Sequence, residues 1–281
     1  MASFRAALVQ MRSGADVAAN LQTAETLVRL AAAEGADYVQ TPENTNIMQP
    51  DRAAFVAAVH GEADDPTLAR LRRVAAELGL WLHIGSLAIA LPGEARTANR
   101  GFLIAPDGRI AARYDKLHMF DVDLPTGESH RESEKVRPGK TAVLAELPWG
   151  GLGMGICYDL RFPQLARRLA KAGAAFLSYP AAFTVPTGEA HWHVLQRARA
   201  IETGSFVLSS AQGGIHDSGR GTYGHSLIVD PWGRILGELG SEPGVVVAEI
   251  DPALSADARA RIPALAHDRP FRLSAQRKAE A

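Results

Sequence analysis

Short, nearly uninterrupted runs of Val, Ile, Leu and Phe recur along the chain between longer stretches whose apolar residues return every three or four positions. This alternation restricts the fold more than any other feature. A strand with one wet face alternates apolar and polar residues, whereas a strand that is apolar throughout needs both faces covered, as in sheets flanked by helices. An α/β fold is therefore predicted. The expected strands are Phe4 to Val9, Asp37 to Thr41, Leu80 to Leu87, Thr141 to Leu147, Leu152 to Ile156, Phe176 to Tyr179, Phe206 to Ser210, Ser226 to Val229 and Val245 to Ile250. One helix buries Leu21, Ala24, Val28 and Ala31 and stops near Gly35. A second starts at Asp65-Pro66, turns Leu68, Leu71, Ala75 and Leu78 inward and stops at Gly79. Pro163 opens a third over Leu165, Leu169 and Ala170, and Ala190 to Glu202 forms a fourth. Proline at the start and glycine past the end are the signals used.

The segment from Phe102 to Ile110 (FLIAPDGRI) is similar to that from Ser226 to Ile235 (SLIVDPWGRI), and each reads as a hairpin around a glycine-containing turn. Two related halves are expected, each a sheet covered by helices on its outer side. Its 281 residues are 47% hydrophobic and 22% charged, which suits one large domain over residues 1–271 with a substantial core. The polar stretch 272–281 is expected to be a tail or a partner-contacting arm. Lys plus Arg number 30 and Asp plus Glu 31, so the net charge of −1 gives no general attraction to nucleic acid or anionic lipid. A small molecule is the expected partner. The first residues lack the apolar stretch of a signal peptide, no run is long enough to span a membrane, and the single cysteine fits a reducing cytoplasm.

That cysteine, Cys157, follows the apolar Leu152 to Ile156 and precedes Tyr158-Asp-Leu-Arg-Phe-Pro163. Cysteine is commonly a small buried hydrophobe. At a tight turn between strand and helix, however, a nucleophile is presented beside free backbone N–H groups. A thiol is mostly protonated at neutral pH, so attack on a carbonyl requires a base or a cation nearby. Glu43, in Gln40-Thr-Pro-Glu43-Asn-Thr-Asn46, stands at a strand end beside a proline-fixed turn, and Lys116 follows the first hairpin in Tyr114-Asp-Lys116-Leu-His118. Alone, each is an ordinary surface charge. Together with the cysteine they make up what amide cleavage through a thioester needs: a nucleophile, a proton carrier and a cation facing the oxyanion.

The blocks Pro42-Glu43-Asn44, Tyr114-Asp115-Lys116-Leu117-His118 and Gly155-Ile156-Cys157-Tyr158-Asp159-Leu160-Arg161-Phe162-Pro163, in that order, resemble the nitrilase superfamily of carbon-nitrogen hydrolases, over roughly residues 4 to 272. The resemblance implies a four-layer αββα sandwich with two pseudo-related halves, catalytic Glu43, Lys116 and Cys157, and no cofactor. It also implies a second glutamate between lysine and cysteine, assigned to Glu132 although Glu128 and Glu134 lie close by. The backbone N–H of Tyr158, the residue after the nucleophile, is the expected second oxyanion donor. The family reaction releases ammonia and then the acid.

Tyr179 to Phe183, Thr187 to Trp192, Gln196 to Glu202, Ala211 to His216, Tyr223 to Gly233 and Ile262 to Pro270 resemble the branch containing ω-amidase and deaminated glutathione amidase, the last three more closely the latter. That branch acts on short carboxylate-bearing amides. Arg161 is read either as the anchor for the substrate carboxylate or as the partner of an internal acid such as Asp159. Phe183 and Thr187 are read either as pocket lining or as core and helix-cap residues. Nitrile hydrolysis and carbamoyl hydrolysis are the alternatives within the family, and a catalytically silent ligand-binding protein is the alternative outside enzymology. Gly150-Gly-Leu-Gly-Met-Gly155 lacks the spacing of a nucleotide loop and reads as a closely approached strand. His191 and His193 diverge on a helix, and no metal is expected. A homodimer or higher homo-oligomer is expected from the resemblance.

Overall fold

The computed structural model describes residues 2–125 and 127–274. The strands of the first half are β1 (Phe4–Gln10), β2 (Tyr38–Gln40), β3 (Trp81–Ala90), β4 (Thr97–Ile104) and β5 (Ile110–Asp115), followed by the small hairpin β6 (Asp121–Asp123) and β7 (Ser129–Arg131). The second half contributes β8 (Val143–Leu147), β9 (Gly150–Met154), β10 (Ala174–Ser178), β11 (Phe206–Ser209), the short pair β12 (Gly213–Ile215) and β13 (Gly221–Tyr223), β14 (Leu227–Val229), β15 (Ile235–Glu238) and β16 (Gly244–Ile250). The helices are α1 (Val17–Ala33), α2 (Arg52–Ala58), α3 (Pro66–Leu78), α4 (Pro163–Lys171), α5 (Val185–Thr203) and α6 (Ala253–Arg261).

Twelve of these strands form two six-stranded sheets, in the orders β16-β1-β2-β3-β4-β5 and β15-β14-β11-β10-β9-β8. Each sheet has three parallel strands at its centre, one antiparallel strand on one side and an antiparallel hairpin on the other. The two similar sequence segments fall on the corresponding hairpins β4–β5 and β14–β15, and both carry a register shift, at Leu103/Ile104 and at Ile228/Val229. The fold is thus the expected αββα sandwich with related halves.

The near-continuous apolar character of β1 follows from its position. Successive side chains point to opposite faces, and Phe4, Ala6 and Leu8 enter the core between the sheets while Ala7 and Val9 enter the core beneath α1 and α3. On that outer side α1 buries Ala24, Val28 and Ala31, and α3 buries Leu68, Leu71, Val74 and Ala75. Asp65 caps α3 by accepting from the Leu68 N–H, Pro66 occupies its first turn, and Gly79 ends it in the left-handed conformation at φ 66°. Helices α4 and α5 cover the other sheet through Leu165, Ala166 and Leu169 and through Trp192 and Ala200. Helix α5 begins at Val185, ahead of the Ala190 start read from sequence. Helices α2 and α6 and the two small hairpins were not anticipated. Helix α2 buries no residue and α6 only Ser255, so neither carries an apolar stripe to detect. Residues 272–274 are exposed, and the remainder of the expected tail, 275–281, lies outside the described residues.

The glycines of β9 and the residue after it are closely approached: a methyl on Gly153 would lie 2.9 Å from Leu177 and one on Gly155 2.8 Å from the Tyr179 ring. Gly85 in β3 is tighter still. A Cβ there would stand 2.1 Å from the Thr41 carbonyl, 2.5 Å from Pro180 and 2.6 Å from the Pro42 carbonyl, between the chain segments that follow β2 and β10. Gly85→Ala should destabilise the protein by about 1 to 3 kcal/mol. Gly61→Ala, where a methyl meets nothing within 4 Å, is the control. Equal urea midpoints for the two variants would show that the middle of β3 tolerates the methyl.

Candidate active site

In open α/β sheets ligands sit beyond the carboxyl ends of the parallel strands, and here β2, β9 and β10 deliver Glu43, Cys157 and Ala182 to one place. Lys116 arrives directly after β5. Its Nζ donates to Glu43 Oε1 at 2.9 Å and to both oxygens of Glu132 at 2.9 and 2.8 Å. The lysine side chain is 2% exposed and that of Glu43 4%. Charges removed from water to this degree persist only when paired and hydrogen-bonded. Asn99, on β4, donates from Nδ2 to Glu43 Oε1 at 2.9 Å and to Glu132 Oε1 at 3.3 Å. The Ala182 N–H binds Glu43 Oε2 at 2.9 Å and the Phe120 N–H binds Glu132 Oε2 at 2.7 Å. Two carboxylates thus share one ammonium and one amide, with a backbone donor apiece.

The electrostatics follow from this arrangement. For Lys116, burial opposes the charge, but Glu132 and Glu43 outweigh it and hold the ammonium's pKa well above the usual lysine value. Burial also pushes the Glu43 carboxyl upward, yet the Lys116 charge, with hydrogen bonds from Lys116, Cys157 and Asn99, holds it below the ordinary carboxylate value. Cys157 moves the opposite way. Burial first and the Glu43 charge second raise its thiol well above the usual value, against the pull of Lys116. The resting state is therefore a neutral thiol beside an ionised carboxylate.

Cys157 opens a 3-10 turn, Cys157–Arg161, at φ 50°, a left-handed conformation that non-glycine residues seldom adopt. Among the described residues the Tyr158 N–H has no backbone partner outside this turn. Asp159, fully buried, holds the turn: it accepts from its own Ile156 N–H at 2.9 Å, from Tyr114 Oη at 2.7 Å and from the His118 N–H at 3.1 Å, and pairs with His118 Nδ1 at 2.7 Å. Tyr114 and His118 flank Lys116, so one carboxylate ties the lysine segment to the cysteine turn. This also explains why Arg161 does not pair with Asp159.

A cavity of about 580 Å³ opens over these groups. Glu43, Lys116, Glu132, Cys157, Tyr158, Phe183 and Thr187, all singled out from sequence, line it. Phe183 also packs edge-on against Trp192, and the Thr187 hydroxyl bonds Thr184 Oγ1 at 2.8 Å, so both combine lining with structural contacts. Glu128 is exposed, and among the described residues its carboxylate approaches only His130, at 3.5 Å. Arg161 is not among the cavity-lining residues. Its Nη1 meets His191 Nδ1 at 3.2 Å, and its guanidinium lies over the rings of Tyr158 and Phe183. Sequence reasoning missed Asn99, the Ala182 N–H and Arg220. The segment Ala211 to His216 proves to be a clamp: Gln212 Nε2 donates to the Glu43 carbonyl at 2.9 Å and His216 Nδ1 to the Ser13 carbonyl at 2.8 Å. The segment Ile262 to Pro270 lies against α4, where Asp268 pairs with Lys171 at 2.6 Å. Among the described residues, the group able to gather around an ion is His193, His225 and Glu238, none of which lines the cavity.

The sequence matches the carbon-nitrogen hydrolase family over residues 5–260. The deaminated glutathione amidase of Synechocystis sp. (strain PCC 6803 / GT-S) is 40% identical over 270 residues, 95% of this chain and 98% of that protein. The omega-amidase NIT2 of Danio rerio is 36% identical over 263 residues, 94% of each chain. The crystal structure of a mutant amidase from Nesterenkonia sp. AN1, showing Michael addition of acrylamide at its active-site cysteine, is similar at a TM-score of 0.76 and 27% identity, over 92% of this chain and 98% of that one. Matched along nearly its whole length and carrying a buried carboxylate, ammonium and thiol at one point, the chain belongs to the carbon-nitrogen hydrolase family and is an amide-cleaving enzyme of the nitrilase superfamily.

Proposed function

We propose that Cys157 is the nucleophile, Glu43 the proton carrier and Lys116 with the Tyr158 N–H the oxyanion site of an amidase acting on short carboxylate-bearing amides. The observation that carries this reading is the meeting of thiol, carboxylate and ammonium beneath one cavity. As the sulfur bonds to the amide carbon, Glu43 takes the thiol proton and the carbonyl oxygen becomes an oxyanion. One of the two Lys116 contacts to Glu132 is redundant, so a donor can turn to that oxygen. Glu43 returns the proton to the nitrogen, and the carbon–nitrogen bond breaks with release of ammonia or, from a substituted amide, of an amine. Glu43 next takes a proton from water, whose oxygen attacks the thioester; the carbon–sulfur bond breaks and the proton returns to sulfur. Glu132 and Asn99 hold the lysine and the base in place throughout. The carboxylate preference is supported by the relatives named deaminated glutathione amidase and omega-amidase and by the basic side chains around the cavity.

We further propose that the protein works in the reducing cytoplasm, in keeping with its single cysteine; among the described residues no helix is long and apolar enough to cross a membrane. Homo-oligomerisation remains our expectation, supported by Ile201, Trp232 and Ile262, each more than half exposed around one surface groove. Light scattering should give at least a dimer, and a monomer at micromolar concentration would remove the proposal.

Cys157→Ala should fold and lose at least ~10³-fold in amide turnover. Mass spectrometry of the quenched unmodified enzyme should locate the acyl group on Cys157. Persistent turnover by the alanine variant would exclude the thioester route. The pH dependence carries a definite sign. Glu43 works only when ionised, and its depressed pKa keeps it so across the neutral range, so the acid limb of kcat/KM should fall below pH 4.5, the ordinary glutamate value. In Glu43→Gln turnover should drop by at least ~10²-fold. The thiol titration, read from thiolate absorbance at the only cysteine, should move down, because a charge that raises its pKa is gone while Lys116 remains. A midpoint that is unchanged or raised would contradict the electrostatic reading.

A further inference from the structure

We propose that Arg220 anchors the substrate carboxylate, a role that neither Arg161 nor the exposed cavity lysine and arginine fill. The inference rests on the amidase reading above and names the specificity element of that same site. Arg220 closes the turn between β12 and β13, and its backbone is held there: the His216 N–H binds its carbonyl at 2.9 Å. The side chain reaches back across the cavity, where Nη2 donates to the Ala182 carbonyl at 3.1 Å. Ala182 is the residue whose N–H binds the Glu43 carboxylate. One residue, Ala182, therefore touches the proposed base through its N–H and this guanidinium through its carbonyl, which places the cation on the wall of the same cavity.

A guanidinium has five N–H donors in a planar fork suited to a carboxylate. Among the described residues, the only acceptor that the Arg220 side chain engages is the Ala182 carbonyl, Nε is buried without a partner, and no acid forms an ion pair with it. Buried donors left unsatisfied are costly, and a carboxylate entering the cavity would meet that need. The other cations around the cavity are less well placed. Arg131 is exposed and pairs with Asp123 at 2.8 Å, and Lys135 is exposed. Arg52 also has a buried donor without a partner, Nη1, but its Nη2 is held by the Ala95 carbonyl in the loop between β3 and β4, whereas Arg220 is held by the residue that binds the proposed base. Arg161 packs against His191 outside the cavity lining. The favoured substrate is accordingly an amide whose carboxylate lies only a few bonds from the scissile carbonyl.

The test is kcat/KM for a short ω-amide of a dicarboxylic acid and for the neutral amide of the same length, in the unmodified enzyme, Arg220→Met and Arg161→Met. In Arg220→Met the ratio of carboxylate to neutral substrate should fall by ~10- to 100-fold, carried mainly by KM. Arg220→Lys should recover part of it. In Arg161→Met the ratio should hold. A ratio that does not move in Arg220→Met, because both substrates lose equally or neither loses, overturns the proposal. If the unmodified enzyme cleaves neither amide, the function proposed above fails instead. Calorimetric binding of the product dicarboxylate to Cys157→Ala, with and without Arg220→Met, still decides the anchor: equal affinities would reject it.

Discussion

The Lys116 ammonium, sealed between Glu43 and Glu132, is the interaction on which the rest of the molecule depends. Two carboxylates and one cation leave an excess negative charge in a dry place, and that excess is tolerable only because Asn99 and the Ala182 and Phe120 N–H groups supply further donors. These donors come from strands and loops of both sheets. The charge cluster therefore specifies how the sheets must stand relative to one another, in a way that apolar packing, which is indifferent to small displacements, does not. Removing any one donor leaves a neighbouring charge uncompensated, so the cluster behaves as a unit.

A second buried carboxylate acts at the other end of the site. Asp159 binds the Ile156 N–H within its own turn and also Tyr114 and His118 on either side of Lys116. The strained backbone at Cys157 is thus braced by the same segment that presents the lysine. The stacking of His118 on Phe162, with ring centroids 3.4 Å apart, adds an apolar contact to the polar one. Thiol and ammonium stay registered because they share this brace.

The parts of the molecule visible in the sequence are those set by local rules. Strand positions and helix ends followed from apolar runs and from Asp65, Pro66 and Gly79, whose effects are confined to a turn. Glu43, Lys116 and Cys157 were recognisable from three short blocks and Glu132 from the position that the family resemblance implies, although only coordinates could show that their side chains meet. Asn99 gave no signal, since nothing in its own stretch, Thr97-Ala-Asn-Arg100, marks it and its partners are distant in sequence. The Ala182 contact was invisible in principle, because a backbone N–H is offered by nearly every residue type. Arg161 attracted attention by its nearness to the cysteine in sequence, whereas Arg220 reaches the cavity from a glycine-flanked turn whose geometry depends on β12 pairing with β13. Sequence proximity is a poor guide where a side chain is long and the turn around it is set by tertiary contacts.

The duplicated frame has a further consequence. At the position after β1 that corresponds to Cys157 after β9 stands Ser13, and the counterpart of the Glu43 loop after β2 is the Pro180-Ala181-Ala182 segment after β10. Ser13 is buried, its N–H bound by Gln212 Oε1, its carbonyl by His216 and its hydroxyl donated to the Thr45 carbonyl. A doubled architecture offers two equivalent positions just past the ends of its parallel strands. This chain arms one for bond cleavage and turns the other into a rivet that fastens the Glu43 loop to the opposite half, so the idle member of the pair becomes the mechanical support of the working one.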